Sequence, residues 1–292
     1  MNFPKRITLE FTNFCNLRCV FCPRRYMEKE TGFMDVELAR KLISEISLHA
    51  PVVIVPFFRG ESLTHPHWDT LFEMLHEHGL DKIQMATNAS LLTEEKAKHI
   101  LSLGVETLSF SMDTLNPELY RKLRGCDYDV SLNNVLRLLE LRKAVKGKKH
   151  IKTVQVSAVK TVDNAHEIDD FISFWSDKVD RVRIYPEHST DGCPGSLPSR
   201  KDVDRKPCNK VYEDMVIYWN GDIGLCNHDW TRLVTGQHIG SVKEKSIQEV
   251  WQSPAYKAIR EAHESCDLRD VSPCEHCQHW VDEPVGLLVE NA

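Results

Sequence analysis

Short runs rich in Val, Ile and Phe recur along the chain, and each is followed by a stretch with helical spacing. The runs Ile7–Thr12, Val52–Phe58, Lys82–Thr87, Thr107–Met112, Thr153–Val159 and Arg181–Tyr185 predict six strands. Between them, Leu38, Leu42, Ile43 and Ile46 share one helical face, and Leu132, Val135, Leu136 and Leu139 repeat the same spacing. Asp35 and Thr93 are good N-caps, while Gly79 and Gly104 stand where helices are expected to stop. Alternating strands and helices predict parallel βα units with right-handed crossovers, curled into a barrel or left as an open sheet.

From His188 the alternation breaks. The segment HSTDGCPGSLPSRKDVDRKP reads as a linker, dividing the chain into residues 1–190, a connection over 191–207 and a smaller unit over 208–292. A chain of 292 residues, 41% hydrophobic, can bury a sizeable core. Lys and Arg number 37 against 43 Asp and Glu, a net charge of −6, so neither nucleic acid nor an anionic membrane is an expected partner. The opening MNFPKRITLEF has no apolar run of signal-peptide length, and no segment approaches a membrane span, so a cytoplasmic protein is expected. Thiols stay reduced there, and ten cysteines are more naturally metal ligands or reactive thiols than disulfides.

Cys15, Cys19 and Cys22 stand together in the run CNLRCVFC. Three thiolates on one short loop can hold three irons of a 4Fe-4S cluster and leave the fourth open to reaction. A structural zinc site normally wants four closed ligands, and no fourth lies nearby. This CxxxCxxC pattern, with Phe21 just before the last cysteine, resembles the signature of the radical S-adenosylmethionine superfamily. The resemblance implies an α/β fold, a partial (β/α)6 TIM-type barrel with its chemistry at the carboxyl ends of the strands. It also implies S-adenosyl-L-methionine on the open iron and a 5′-deoxyadenosyl radical formed from it. A flavodoxin- or ferredoxin-type protein is then the expected electron donor.

The same resemblance maps Gly60 and Glu61, in FFRGES, onto the family's Gly-Glu motif at the methionine amine, with Arg59 replacing a first glycine. A carboxylate suits an ammonium group, and a glycine lets backbone come close. In LSFSMD, Ser109, Ser111 and Asp113 share one face by the period of two. Ser111 and Asp113 match positions that bind the ribose hydroxyls, although Asp113 is equally placed to cap a helix beginning near Asn116. Asn88, in ATNAS, matches a position facing the cofactor.

A second set comprises Cys208, Cys226, Cys274 and Cys277. Twelve residues separate Cys208 from Gly221 and four separate Gly221 from Cys226, with CxxC following later. This layout resembles the SPASM/twitch domain of radical enzymes, in which a hairpin and a helix hold an auxiliary cluster. No cysteine follows Cys277, so one auxiliary 4Fe-4S cluster is expected, two clusters in all. From spacing alone a four-cysteine zinc site stays equally open. VIYWNGDIGLC alternates around Asn220-Gly221, a two-residue turn signal. His228, His276 and His279 are nearby and are expected outside the ligand set. Of the remaining cysteines, Cys126 and Cys266 are expected to be packing residues. Cys193 follows the sixth strand at the substrate rim and is a candidate hydrogen donor.

Size and cysteine layout are similar to the 2-deoxy-scyllo-inosamine dehydrogenases. That likeness implies two-electron oxidation of a small polar substrate, a sugar, aminocyclitol or similar alcohol or amine, with the auxiliary cluster accepting an electron. Epimerisation with a cysteine hydrogen donor and maturation of a ribosomal peptide are the alternatives. Arg183, Tyr185, Glu187 and His188 are candidates for a base or for substrate hydroxyl contacts, each better explained by a rim salt bridge. A scaffold that only binds partners would not need the cofactor-facing residues.

Overall fold

In the computed structural model all six expected strands form in order. It describes residues 2–26, 30–144, 151–187, 205–230, 239–275, 277, 280 and 287–290, without the side chains of residues 25 and 26. The strands are β1 (Arg6–Leu9), β2 (Val53–Val55), β3 (Gln84–Thr87), β4 (Thr107–Ser111), β5 (Thr153–Lys160) and β6 (Arg181–Pro186). Parallel ladders join β1 to β2 and then β3 through β6, and a bridge between Ile54 and Ile83 links the two groups. This is a partial barrel of βα units. Strand β2 stops short of Phe58 because Pro56 has no N–H to give the ladder.

The intervening helices are α1 (Val36–Ser47), α2 (Trp68–Glu77), α3 (Glu94–Leu103), α4 (Pro117–Arg124), α5 (Tyr128–Ala144) and α6 (Ile168–Ser176). Asp35 caps α1 by accepting from the N–H groups of Glu37 and Leu38, and Thr93 caps α3 by accepting from Lys96 N. Gly104 ends α3 at φ +72°, a left-handed value that favours glycine. Ile7, Leu9, Leu108, Phe110, Val154, Val156, Val182 and Ile184 point outward and are buried in one core with Leu42, Ile43, Leu75, Val135 and Trp175 of the helices. The alternate residues point inward and are polar. Arg6 Nη1 donates to Gln84 Oε1 (2.8 Å), Arg181 Nε to Gln155 Oε1 (2.7 Å) and Gln155 Nε2 to Ser109 Oγ (2.8 Å).

The C-terminal unit extends this sheet. After α7 (Lys210–Glu213), strand β7 (Asp214–Ile217) pairs parallel with β1 on the side away from β2, and β8 (Ile223–Gly224) pairs antiparallel with β7. Strand β9 (Leu287–Glu290) runs antiparallel to β6, so both flanks of the barrel are covered. The hairpin turn differs from the two-residue form expected. Tyr218 N donates to Asp222 O and Gly221 N to Tyr218 O, and Gly221 at φ +83° is the only turn residue with positive φ. A two-residue turn of that type needs positive φ at both central residues. Two further helices, α8 (Ile247–Trp251) and α9 (Pro254–Glu264), complete the unit. Lys41 and Glu45 of α1 bind the backbone at Val242 and Ile247. Among the described residues, no helix is long and apolar enough to cross a membrane.

Candidate functional site

The first cysteine loop leaves β1 and is held from several sides. Arg24 donates to the carbonyls of Asn13 (3.0 Å), Cys15 (3.4 Å) and Leu17 (3.5 Å). Asn88 Nδ2 donates to Asn16 Oδ1 (3.0 Å), Asn16 Nδ2 to Ser90 Oγ (2.8 Å), and Val20 N to Leu123 O (2.9 Å). The thiols of Cys15, Cys19 and Cys22 are all partly exposed and close enough to repel one another as thiolates. Burial, more than that repulsion, lifts Cys15 above its ordinary value and Cys19 to about 12. Iron ligation therefore has to release protons here.

Gly60 is pressed against the start of this loop. A Cβ there would collide with the carbonyls of Thr12 and Phe14, and Glu61 N donates to Phe14 O at 2.9 Å. The need for glycine thus arises from contact with the cysteine loop itself. The Glu61 carboxylate accepts from Thr87 Oγ1 (2.9 Å), Asn88 N (2.8 Å) and Leu63 N (3.3 Å). Burial raises its pKa while these bonds lower it.

Asp113 does not take the helix-capping use. Asn116, not Asp113, caps α4, accepting from Glu118 N and Leu119 N. The Asp113 carboxylate is buried, and both of its oxygens accept from protein donors, Arg124 Nε (2.5 Å) and Val159 N (2.7 Å). Arg124 is a buried cation. Burial would lower its pKa, but Asp113 and then Cys19 hold it up, and Phe21 lies 5.9 Å from its Cζ. The ion pair thereby forms a wall of the triad site. Ser109 is buried lower in the barrel, accepting from Gln155. Ser111 is half-buried and is level with Ser157 and Arg183 across β4, β5 and β6. Arg183 Cζ lies 4.8 Å from the Tyr185 ring.

At the second set, Cys208 N donates to His263 Nδ1 (3.3 Å), and Arg205 donates to the carbonyls of Cys277 (2.9 Å) and Cys274 (3.2 Å). Burial raises the thiols of Cys208 and Cys226, with Cys274 adding to the rise at Cys226. Lys210, lowered by burial but raised more by Asp214 and Cys226, puts a cation among these thiols. His228 gives its backbone N–H to Cys226 Sγ (3.4 Å). Among the described residues, no three His, Cys, Asp or Glu side chains gather tightly enough to hold one metal ion. A 4Fe-4S cluster binds each thiolate to a different iron, which suits donors spread along loops. Cys193, His188, His276 and His279 lie outside the described residues. Cys126 is half-buried against the core, whereas Cys266 is exposed and donates to Arg205 O (3.2 Å).

The sequence reading missed Arg124 and the role of Glu10. Glu10 and Arg59 form a fully buried ion pair. The signal was present, a carboxylate within the apolar strand ITLEFT and an arginine where the family motif has glycine.

Residues 9–191 match the Radical SAM superfamily, and residues 208–279 match the SPASM iron-sulfur cluster-binding domain. The chain belongs to the radical SAM superfamily. Its cofactors are accordingly S-adenosyl-L-methionine and 4Fe-4S clusters, and the zinc alternative falls away. The tungsten-containing aldehyde ferredoxin oxidoreductase cofactor-modifying protein of Pyrococcus furiosus is 24% identical, over 96% of this chain and 93% of its own length. Streptococcus suis SuiB bound to its precursor peptide SuiA superposes with a TM-score of 0.72 at 19% identity, covering 89% of this chain and 67% of SuiB. BtrN in complex with AdoMet and 2-DOIA gives a TM-score of 0.62 at 17% identity, covering 98% of both chains. SuiB and BtrN thus share the fold of this chain.

Proposed function

We propose that this radical SAM enzyme oxidises a small polar substrate, a sugar, aminocyclitol or similar alcohol or amine, by two electrons. When bound, S-adenosylmethionine and the open cluster supply a radical that removes a hydrogen atom, and the auxiliary cluster supplies an acceptor for the remaining electron. Cys15, Cys19 and Cys22 would hold the open cluster, and Cys208, Cys226, Cys274 and Cys277 the auxiliary one. Gly60, Glu61 and Asn88 are the residues we assign to the cofactor side, with Ser111 where cofactor and substrate would meet. Cytoplasmic reduction by a flavodoxin- or ferredoxin-type donor fits this chemistry.

The observation that carries the reading is the inward row Ser111, Ser157 and Arg183, level across three strands near their carboxyl ends. Ser111 is two residues from Asp113, whose partner Arg124 acts on Cys19, so the row lies near the triad. Hydroxyls and a guanidinium suit a substrate rich in hydroxyl groups and leave little apolar surface for a lipid-like one. Arg183 and Tyr185 would orient the substrate, while the sheet and its covering helices keep bulk water from the radical.

The test uses anaerobically reconstituted enzyme, dithionite, S-adenosylmethionine and a panel of polyols, aminocyclitols and peptides. The expected outcome is release of 5′-deoxyadenosine with a product two hydrogens lighter. Release is lost in Cys19→Ala but retained, without oxidised product, in Cys226→Ala. An isomerised product carrying solvent deuterium would replace this reading with epimerisation, and turnover of peptides alone would replace it with peptide maturation.

A further inference from the structure

The Glu10–Arg59 pair stands where three segments meet. Arg59 grips Glu10 with two prongs, Nε to Oε1 at 2.7 Å and Nη2 to Oε2 at 2.8 Å, and neither side chain reaches solvent. Glu10 lies just ahead of the loop that carries Cys15, and Arg59 immediately precedes Gly60, which rests on that loop. The same carboxylate also accepts the N–H groups of Arg59 and Trp219, each at 3.2 Å. The guanidinium donates from Nη1 to Trp230 O at 3.3 Å and lies 4.3 Å from the Tyr218 ring centre. Trp219 and Trp230 flank Cys226 in sequence, and the Trp219 ring fills the space that a Cβ on Gly32 would need.

Burying a charge pair is a poor way to gain stability compared with apolar packing. Its directional bonds do, however, define how the groups they join are placed. We propose that Glu10–Arg59 is a positioning pair that clamps the hairpin carrying Cys226 to the strand and loop carrying Cys15. It thereby sets the separation and orientation of the two clusters. The inference rests on the two-cluster reading, but on neither the substrate nor the direction of the reaction.

Anaerobically reconstituted enzyme is compared with Arg59→Lys, Arg59→Met and the uncharged double variant Glu10→Gln/Arg59→Met. Two readouts need no substrate: deuterium uptake by residues 214–226 against residues 153–160 of β5, and magnetic relaxation between the two reduced clusters. In Arg59→Met, uptake by 214–226 should speed by roughly tenfold or more, as expected for loss of charge-assisted bonds, while β5 is unchanged. The relaxation coupling should be lost. Arg59→Lys keeps the charge but loses the fork, and should fall between. The double variant leaves no stranded charge, so it tests positioning even if Arg59→Met fails to fold. Unchanged coupling and protection in Arg59→Lys and the double variant would overturn the proposal, as would equal loosening of both segments. Failure of the oxidation reading would leave both readouts intact.

Discussion

His263 is the residue whose charge state the fold controls most clearly away from the first cysteine loop. It is fully buried, and its Nδ1 accepts the Cys208 N–H at 3.3 Å. Burial first, and the Arg205 charge second, lower its pKa to about 4. An unfolded histidine titrates near its usual value of about 6.5, so between the two values the unfolded chain binds a proton that the folded chain refuses. Stability is therefore expected to fall as pH drops from about 6.5 toward 4 and to be level above it. Denaturant titrations at pH 7 and pH 5 should show a larger loss in the native sequence than in His263→Gln, and equal losses would exclude this origin. At the same scale, the two cysteine sets that mark the matched domains were legible because each has a fixed local spacing. The Asp113–Arg124 and Glu10–Arg59 pairs were not, because their partners are brought together only by folding. Asp113 looked like a helix cap because no local pattern shows that Arg124 will pair with its carboxylate.

Among the elements, the helices and the six barrel strands were readable because their periodicity and caps are local. Asp35, Thr93 and Gly104 act where they were expected. The hairpin was located correctly but its turn was not, since the Asn-Gly pair does not reveal that Gly221 alone takes positive φ. Gly60 carries the sharpest consequence at this scale. Gly60→Ala drives a methyl group onto the carbonyls of Thr12 and Phe14, backbone that has little room to give. Overpacking of this kind costs about 1–3 kcal/mol, and here it also displaces the loop that bears the triad. Iron analysis and electron paramagnetic resonance should show loss of the open cluster with the auxiliary cluster kept. Retention of both clusters would show that the loop can move aside.

For the whole molecule, composition suggests a division near residue 208, but the way the residues beyond it join the barrel strands left no trace in the sequence. Strand β7 pairs with β1 and β9 with β6, and strands so distant in sequence leave no local trace of their pairing. A barrel built of six βα units has two unpaired edges, and exposed edges invite association. Removal of residues 287–292 should uncover β6, lower the unfolding temperature and raise light scattering at high protein concentration. A truncated protein that stays monodisperse with an unchanged transition would show that β6 needs no such cover. Strand β1, Arg6–Leu9, has as its outer neighbour a strand that begins only at Asp214. The triad hangs from that first strand, so the frame around the site is shared between segments far apart along the chain. A polypeptide lacking β7 would therefore leave the strand that bears the triad with an open side.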